Sequence, residues 1–432
     1  MRAGGVAALC GAVAALLWPT VAEAIPAFAR IYDKPCHACH TVYPQLNAAG
    51  EALRARGLHG LRPAIKPIEL GPYFAVPGTL PMAVSFAVGE DIAYSPRNDT
   101  TTTHFNFEFL GLLAGGELGP YLSFMADYAP VVTNPLTGDI MYPSRPGIAF
   151  AQAHGQAWGW LGNLYGGLFE MPLGQSPRVH RLSVRPYLIY GITAFGLLGR
   201  RPPGDDRRID TLIMGSAQIG GEMEVLHEEN GLHGVVGLVT GTNNRLDTNE
   251  SADVFLRIGQ EVSSHRLGLF LYYGPDNLGT ASEQVLRIGP DLTLRSRRAR
   301  LAAQFLAGWD SNPTGEGTTL WYYGGFLQTD YRLTPALITL LRFDYVGMPT
   351  FDDRVAGGTA RVRRQIWEVT AGAQYLIVEN LKLVAEVTYA ENHEAVSDVT
   401  TTGLTATLRV ATAFWPLTPP LVTEWMERAP RP

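Results

Sequence analysis

The sequence predicts an all-β chain: a transmembrane antiparallel β-barrel of about sixteen strands, preceded by a short helical segment. Three observations predict it. Charged residues are 17% of the chain, below the roughly 25% of soluble domains. No long apolar run follows the first two dozen positions, which excludes membrane-spanning helices. Apolar and polar residues alternate instead, in stretches of about ten flanked by aromatics, over most of the length.

The chain opens as a secretory signal peptide over 1–24. Arg2 supplies the positive end, Val6 to Trp18 an apolar core too short to span a bilayer, and Ala22-Glu23-Ala24 the cleavage site. The mature chain is expected to start at Ile25. Cys10 leaves with the signal, and Leu9 before it argues against a lipid anchor. Only Cys36 and Cys39 then remain, so no disulfide framework is available.

Those two cysteines stand in "CHACH". Cys36, Cys39 and His40 have the spacing Cys-x-x-Cys-His, the attachment site of a c-type haem. Thioether bonds to both cysteines would hold the haem, and His40 would be the proximal iron ligand. A zinc site wants four ligands in separated pairs, and no second pair exists. A redox disulfide wants a thioredoxin-like context, which is not visible. Haem c is attached outside the cytoplasm, in agreement with the signal peptide. The haem segment is expected over 25–78, with a helix through Leu46, Ala49, Leu53 and Ala55 or Arg56. His59 follows that helix and is the first candidate for the sixth iron ligand; Met82 is the second. His37 points away from the ring in a motif of this kind.

The barrel is expected over 79–415. In "RLAAQFLAGW", Leu301, Ala303, Phe305 and Trp309 oppose Arg300 and Gln304. In "LLRFDYVG", Leu341, Phe343 and Tyr345 oppose Arg342 and Asp344. In "LKLVAEVTYAE", Leu381, Leu383, Val387 and Tyr389 oppose Lys382, Glu386 and Thr388. "HFNFEFLGLL" sets Phe105, Phe107 and Phe109 against Asn106 and Glu108. The segments fall near 81–94, 104–114, 119–129, 148–160, 163–174, 212–226, 231–240, 252–261, 266–275, 283–294, 299–309, 319–330, 336–347, 362–376, 381–391 and 402–414. Short connections alternate with long ones, as in a sixteen-stranded barrel with both termini periplasmic. The longest, 175–211, contains "RPYLIYGITAFGLL" and is too apolar for a simple surface loop. It is expected to fold into the barrel mouth or to form an extra hairpin. The last strand ends on Phe414 and Trp415, and a Pro-rich periplasmic tail, 416–432, follows.

With the signal peptide, the single haem motif, "YPQLNAAGEALRARG" and a barrel-length remainder on the page, the chain resembles the fused monohaem cytochrome–porins of bacterial outer membranes. The positions that carry the likeness are Phe28, Arg30, Cys36, Cys39, His40, Pro44, Leu46, Gly50, Arg54 and Gly57. The family often has an aromatic before that first glycine and another three residues after it, where this chain has Ala49 and Leu53. The resemblance implies an electron-transfer protein, an Fe(II) oxidase of the cytochrome c reductase type, with one covalent haem c. Extracellular Fe(II) would be its donor and a periplasmic c-type cytochrome its acceptor. Those two departures leave room for another extracellular donor or acceptor.

Physical argument points the same way. An outer-membrane barrel presents about 25 Å of insulating hydrocarbon, and a sixteen-stranded barrel is wide enough to hold a plug. A haem segment too small to fold alone is completed by the barrel wall. The competing class is a diffusion porin whose haem segment acts as gate or sensor. Glu108, Asp127, Glu222, Glu224, Arg342, Asp344 and Glu386 suit a polar lumen in either case, and no residue is assigned a catalytic role. Asp205, Asp206, Asp352 and Asp353 lie in long loops as weak cation candidates. A net charge of −6 gives no nucleic-acid surface.

Overall fold

The computed structural model describes residues 27–96, 99–133, 140–141, 148–176, 180–198, 212–242, 251–278, 281–313, 318–355, 358–394 and 399–414. The signal peptide with Cys10, the tail 416–432, Asp205 and Asp206 lie outside the described residues. So do the side chains of Glu108, Asp352 and Asp353.

The plug is the segment ahead of the barrel, and it is short and irregular. Helix α1 (Ala27–Tyr32) leads to a tight 3-10 turn (Cys36–Ala38). Strands β1 (His40–Val42) and β2 (Gln45–Leu46) then pair with each other, and α2 (Ala48–Ala55) follows. Asn47 caps α2 by accepting from the Gly50 N–H, 3.0 Å away, as an N-terminal Asn does where backbone donors lack helical partners. Strands β3 (Ile68–Glu69) and β4 (Ala75–Val76) form a small hairpin before the barrel.

The barrel is closed and antiparallel. Its strands are β5 (Met82–Ser95), β6 (Thr100–Glu117), β7 (Leu122–Thr133), β8 (Ile140–Met141), β9 (Ile148–Ala157), β10 (Trp160–Glu170), β11 (Ala217–His227), β12 (Leu232–Val239), β13 (Asp253–Val262), β14 (His265–Leu278), β15 (Ala281–Arg295), β16 (Ala299–Asp310), β17 (Leu320–Arg332), β18 (Leu337–Val355), β19 (Gly358–Val378), β20 (Leu381–Glu394) and β21 (Val399–Phe414). β8 is a two-residue addition, and β7 pairs directly with β9, so sixteen strands make the wall. β21 pairs with β5 and closes the ring, from Leu404↔Tyr94 to Phe414↔Val84. The wall therefore has no free edge strand, the condition for standing in hydrocarbon.

The predicted alternation is the one observed. Arg342 and Asp344 are fully buried, while Leu341 and Phe343 between and beside them are exposed. Leu256, Ile258, Leu269, Phe305, Leu327 and Val387 likewise face out. The short turns gather at the rim that carries the start of β5 and the end of β21, here the terminal rim. The opposite rim departs from expectation in four places. Spans 95–103, 276–282, 348–361 and 392–401, expected as loops, are largely strand extensions. In β18 and β19 the ladder runs on from Met348↔Arg364, across an irregularity before Phe351, to Val355↔Gly358. Hairpins lengthened this way satisfy backbone groups that a free loop would leave to water.

The lumen is not uniformly polar. The chain from β10 to β11 folds inward and carries α3 (Leu188–Gly191) and α4 (Ala194–Leu198). Tyr187, Ile189, Tyr190 and Leu197 are buried against Phe255, Phe270, Leu306, Leu320, Phe326 and Val346 of the wall. The Tyr187 and Phe326 rings stack with centroids 3.9 Å apart. Of the two expectations for 175–211, the described part takes the first: it enters the barrel. Wall charges hold its backbone in place. Arg342 donates to the Arg185 and Pro186 carbonyls, Asp344 accepts from the Leu188 N–H at 3.1 Å, and Arg185 Nε donates to Glu368 at 2.7 Å. Buried charges are tolerable only when bonded in this way.

Candidate functional site

The site lies in the plug at the terminal rim. Cys36 opens the 3-10 turn, Cys39 follows it, and His40 begins β1. Both thiols are free and partly exposed. Burial and the nearby Glu379 carboxylate push the Cys36 thiol up to about 11, and burial raises Cys39 as well. His40 Nδ1 lies 3.2 Å from the Pro44 carbonyl oxygen. A carbonyl only accepts, so Nδ1 carries the proton and Nε2 is the lone-pair nitrogen. Burial lowers the His40 pKa, against the contrary pull of the Pro44 and Gln45 backbone, and keeps the ring neutral near pH 7.

Barrel residues fasten this loop. Glu379, in the turn between β19 and β20, accepts the Cys36 N–H at 2.8 Å and lies 2.7 Å from His37 Nδ1. Lys382 donates to the Tyr43 carbonyl. Gln45 donates to Asp330 at 2.9 Å and to the His180 carbonyl at 3.2 Å. Val42 packs with Leu182 of the inward loop and with Ile338 and Leu340 of the wall.

Helix α2 is held by charge. Glu51 pairs with Arg295, and its Oε1 lies 3.0 Å from His180 Nε2. The Ser176 N–H donates to His180 Nδ1 at 2.9 Å, so Nε2 bears the proton and faces Glu51. Burial takes the His180 pKa down to about 3, outweighing the attraction of Glu51, and the ring is neutral. Glu51, for its part, sits well below the usual carboxylate range: burial opposes ionisation, but His180, Arg266 and Arg295 outweigh it. Desolvation would lower the Arg54 pKa, yet Tyr165, Glu224, Glu222 and Glu170 raise it. Asn163 Nδ2 donates to the Ala55 carbonyl at 2.8 Å, and Arg56 pairs with Glu228 at 3.2 Å.

The two candidates for a sixth ligand have neighbours of their own. His59 Nδ1 lies 2.7 Å from the Gly57 carbonyl and Nε2 lies 3.0 Å from the Gly119 carbonyl, with the ring stacked on His154. Both nitrogens face acceptors, so His59 presents no lone pair outside those contacts. Met82 starts β5 on the face of Val84 and Phe86, opposite the buried Ala83, Ser85 and Ala87. Its carbonyl accepts from Arg30 at 2.6 Å. His40 itself packs against the Tyr43–Gln45 stretch, its ring 5.7 Å from that of Tyr43.

The residues fit a c-type haem. Two free thiols stand on a tight turn beside an imidazole whose proton sits on Nδ1, which would leave Nε2 to an iron if a haem were bound. Glu379, Lys382, Asp330 and His180 escape a reading of the sequence because they lie 135 to 343 residues from the plug residues they meet. The apolar run in 175–211 is the one signal that pointed toward the inward loop.

Comparison with known proteins bears on the barrel. No protein-family model and no curated protein matches the chain. Among solved structures it is similar to an anion-selective porin from Comamonas acidovorans, at 11% identity over 77% of this chain and 99% of that one, with a TM-score of 0.51. The outer-membrane channel DcaP of Acinetobacter baumannii aligns at 12% identity over 77% and 97%, with a TM-score of 0.49. Salmonella typhi OmpF, in complex with daunomycin, aligns at 12% identity over 81% and 100%, with a TM-score of 0.47. The fold of residues 82–414 is that of an outer-membrane porin barrel.

Proposed function

We propose that the chain is an outer-membrane electron conduit with both termini in the periplasm. One haem c would be held by Cys36, Cys39 and His40. It would carry electrons between an extracellular donor, Fe(II) first, and a periplasmic c-type cytochrome. The observation that carries this reading is a motif loop fastened to the barrel rim, facing a lumen occupied by an inward chain segment. Gln45 and Val42 of the plug meet His180 and Leu182 of that segment directly. Contact of this kind suits a path for electrons better than a path for solutes.

When bound, the haem supplies a one-electron carrier at the terminal rim. The chain's own residues bind and position it. Cys36 and Cys39 hold it, His40 offers Nε2, and Pro44 fixes the ring's proton on Nδ1. Glu379 and Lys382 keep the loop against the wall. The wall insulates: its outward face is a band of large apolar side chains.

Haem-stained gels of the exported protein test the reading. Stain is expected in the wild type and absent after Cys36→Ala with Cys39→Ala. Fe(II) added to the oxidised protein is expected to reduce the stained species. Full staining of the double variant would remove the haem assignment, and reduction by another donor but not Fe(II) would remove the iron assignment alone. Similarity to a porin favours a second reading, a solute channel gated or sensed by the haem segment. Planar-bilayer conductance separates the two, since the conduit is expected to pass little current.

A further inference from the structure

We propose that Glu379, in the hairpin turn joining β19 to β20, and Lys382, just after it, are positioning residues that grip the motif loop on either side of His40; this rests on the reading of Cys36, Cys39 and His40 as the haem-binding residues. Glu379 takes the leading end. One carboxylate oxygen accepts the Cys36 N–H at 2.8 Å and the other lies 2.7 Å from His37 Nδ1. Lys382 takes the trailing end. Its ammonium donates to the Tyr43 carbonyl and, at 2.9 Å, to Gln374 Oε1 of the neighbouring strand.

The hairpin is built for this. Val378 and Leu381 pair directly across the turn, and Leu376 pairs with Lys382. Glu379 therefore opens the two-residue turn and Lys382 stands second in β20, three positions on. Lys382 is 8% exposed, and an ammonium so buried is kept only where it is bonded. Charge-assisted bonds of this type are stronger than neutral ones. Wall contacts from Arg295, Asn163 and Glu228 go to α2 and the residue after it, and Asp330 takes Gln45 beyond the loop. Within the plug, Asn47 donates to the His37 and Ala38 carbonyls in the middle of the loop; from the wall, this hairpin reaches both Cys36 and Tyr43. Glu379 also sets a carboxylate beside the motif, and that charge favours the oxidised, more positive form of the centre.

Hydrogen exchange of the full chain in detergent, read by mass spectrometry over residues 33–43, tests the grip without requiring haem. Glu379→Ala is expected to speed exchange there about ten-fold, the loss of one charge-assisted bond. Glu379→Ala with Lys382→Met is expected to speed it further. Glu379→Gln still accepts the Cys36 N–H and is expected to stay near the wild type, with its haem content retained and its midpoint potential raised. Heat-modifiable gel migration verifies that each barrel is closed. Unchanged exchange in the double variant would overturn the grip even if the wild type stains for haem. An unstained wild type would instead remove the haem reading, and the exchange result would still decide the grip. A Glu379→Gln potential equal to that of the wild type would overturn the role of Glu379 in setting the centre's charge.

Discussion

At the scale of single residues, close approach decides. Gly57 has φ +63°, and a Cβ there would come within 2.8 Å of His154 Cβ and 3.0 Å of Gln152 Nε2. Gly57→Ala combines a left-handed backbone with a wall clash, and such a residue costs about 1–3 kcal/mol. Faster exchange in α2, with the barrel strands unchanged, is the expected result. Gly50 is as constrained: its Cβ would lie 2.1 Å from the Cys39 carbonyl oxygen. His59→Ala is expected to loosen the plug at Gly119, whose carbonyl lies 3.0 Å from the ring's Nε2. A shift to a high-spin spectrum would show that His59 ligates the iron. The motif cysteines and His40 were legible because the chemistry fixes their spacing. His59 was legible only as a nearby histidine, since its partner Gly119 lies in a turn 60 residues on.

At the scale of elements, the strands were read from period two, and they extend further than polarity alone suggests. Span 348–361 looked like a loop because the ladder there is irregular near Met348 and Phe351. The apolar inner half of the lumen was harder to foresee. Leu306, Leu320 and Val346 face inward, and nothing local says that a segment from β10–β11 will cover them. The joint between that segment and α2 is predicted to be acid-sensitive. His180 is neutral in the folded joint, with its pKa down at about 3 against an ordinary 6.5. Below about pH 6.5 the opened state takes up a proton that the closed state refuses, so stability falls with pH. Glu51, also depressed, adds loss in the same direction below its ordinary value of 4.5. The protection factor at α2, exchange measured against the intrinsic rate at each pH, is thus expected to fall from pH 7 to pH 5, and His180→Gln is expected to flatten that fall. A pH-independent wild type would contradict the assignment.

At the scale of the whole molecule, two closures act on one lumen. The plug enters from the terminal rim and the inward segment arrives from the opposite side, and they touch at His180 and Leu182. Neither has a core of its own; the wall completes both. This division explains why so short a segment can precede so large a barrel. The most direct test places the protein in vesicles that enclose an oxidised soluble cytochrome, with Fe(II) supplied only outside. The account predicts reduction of the enclosed cytochrome by the wild type, none by the Cys36→Ala, Cys39→Ala variant, and retention of a small trapped dye in both. Equal reduction by the two proteins, or escape of the dye, would contradict it.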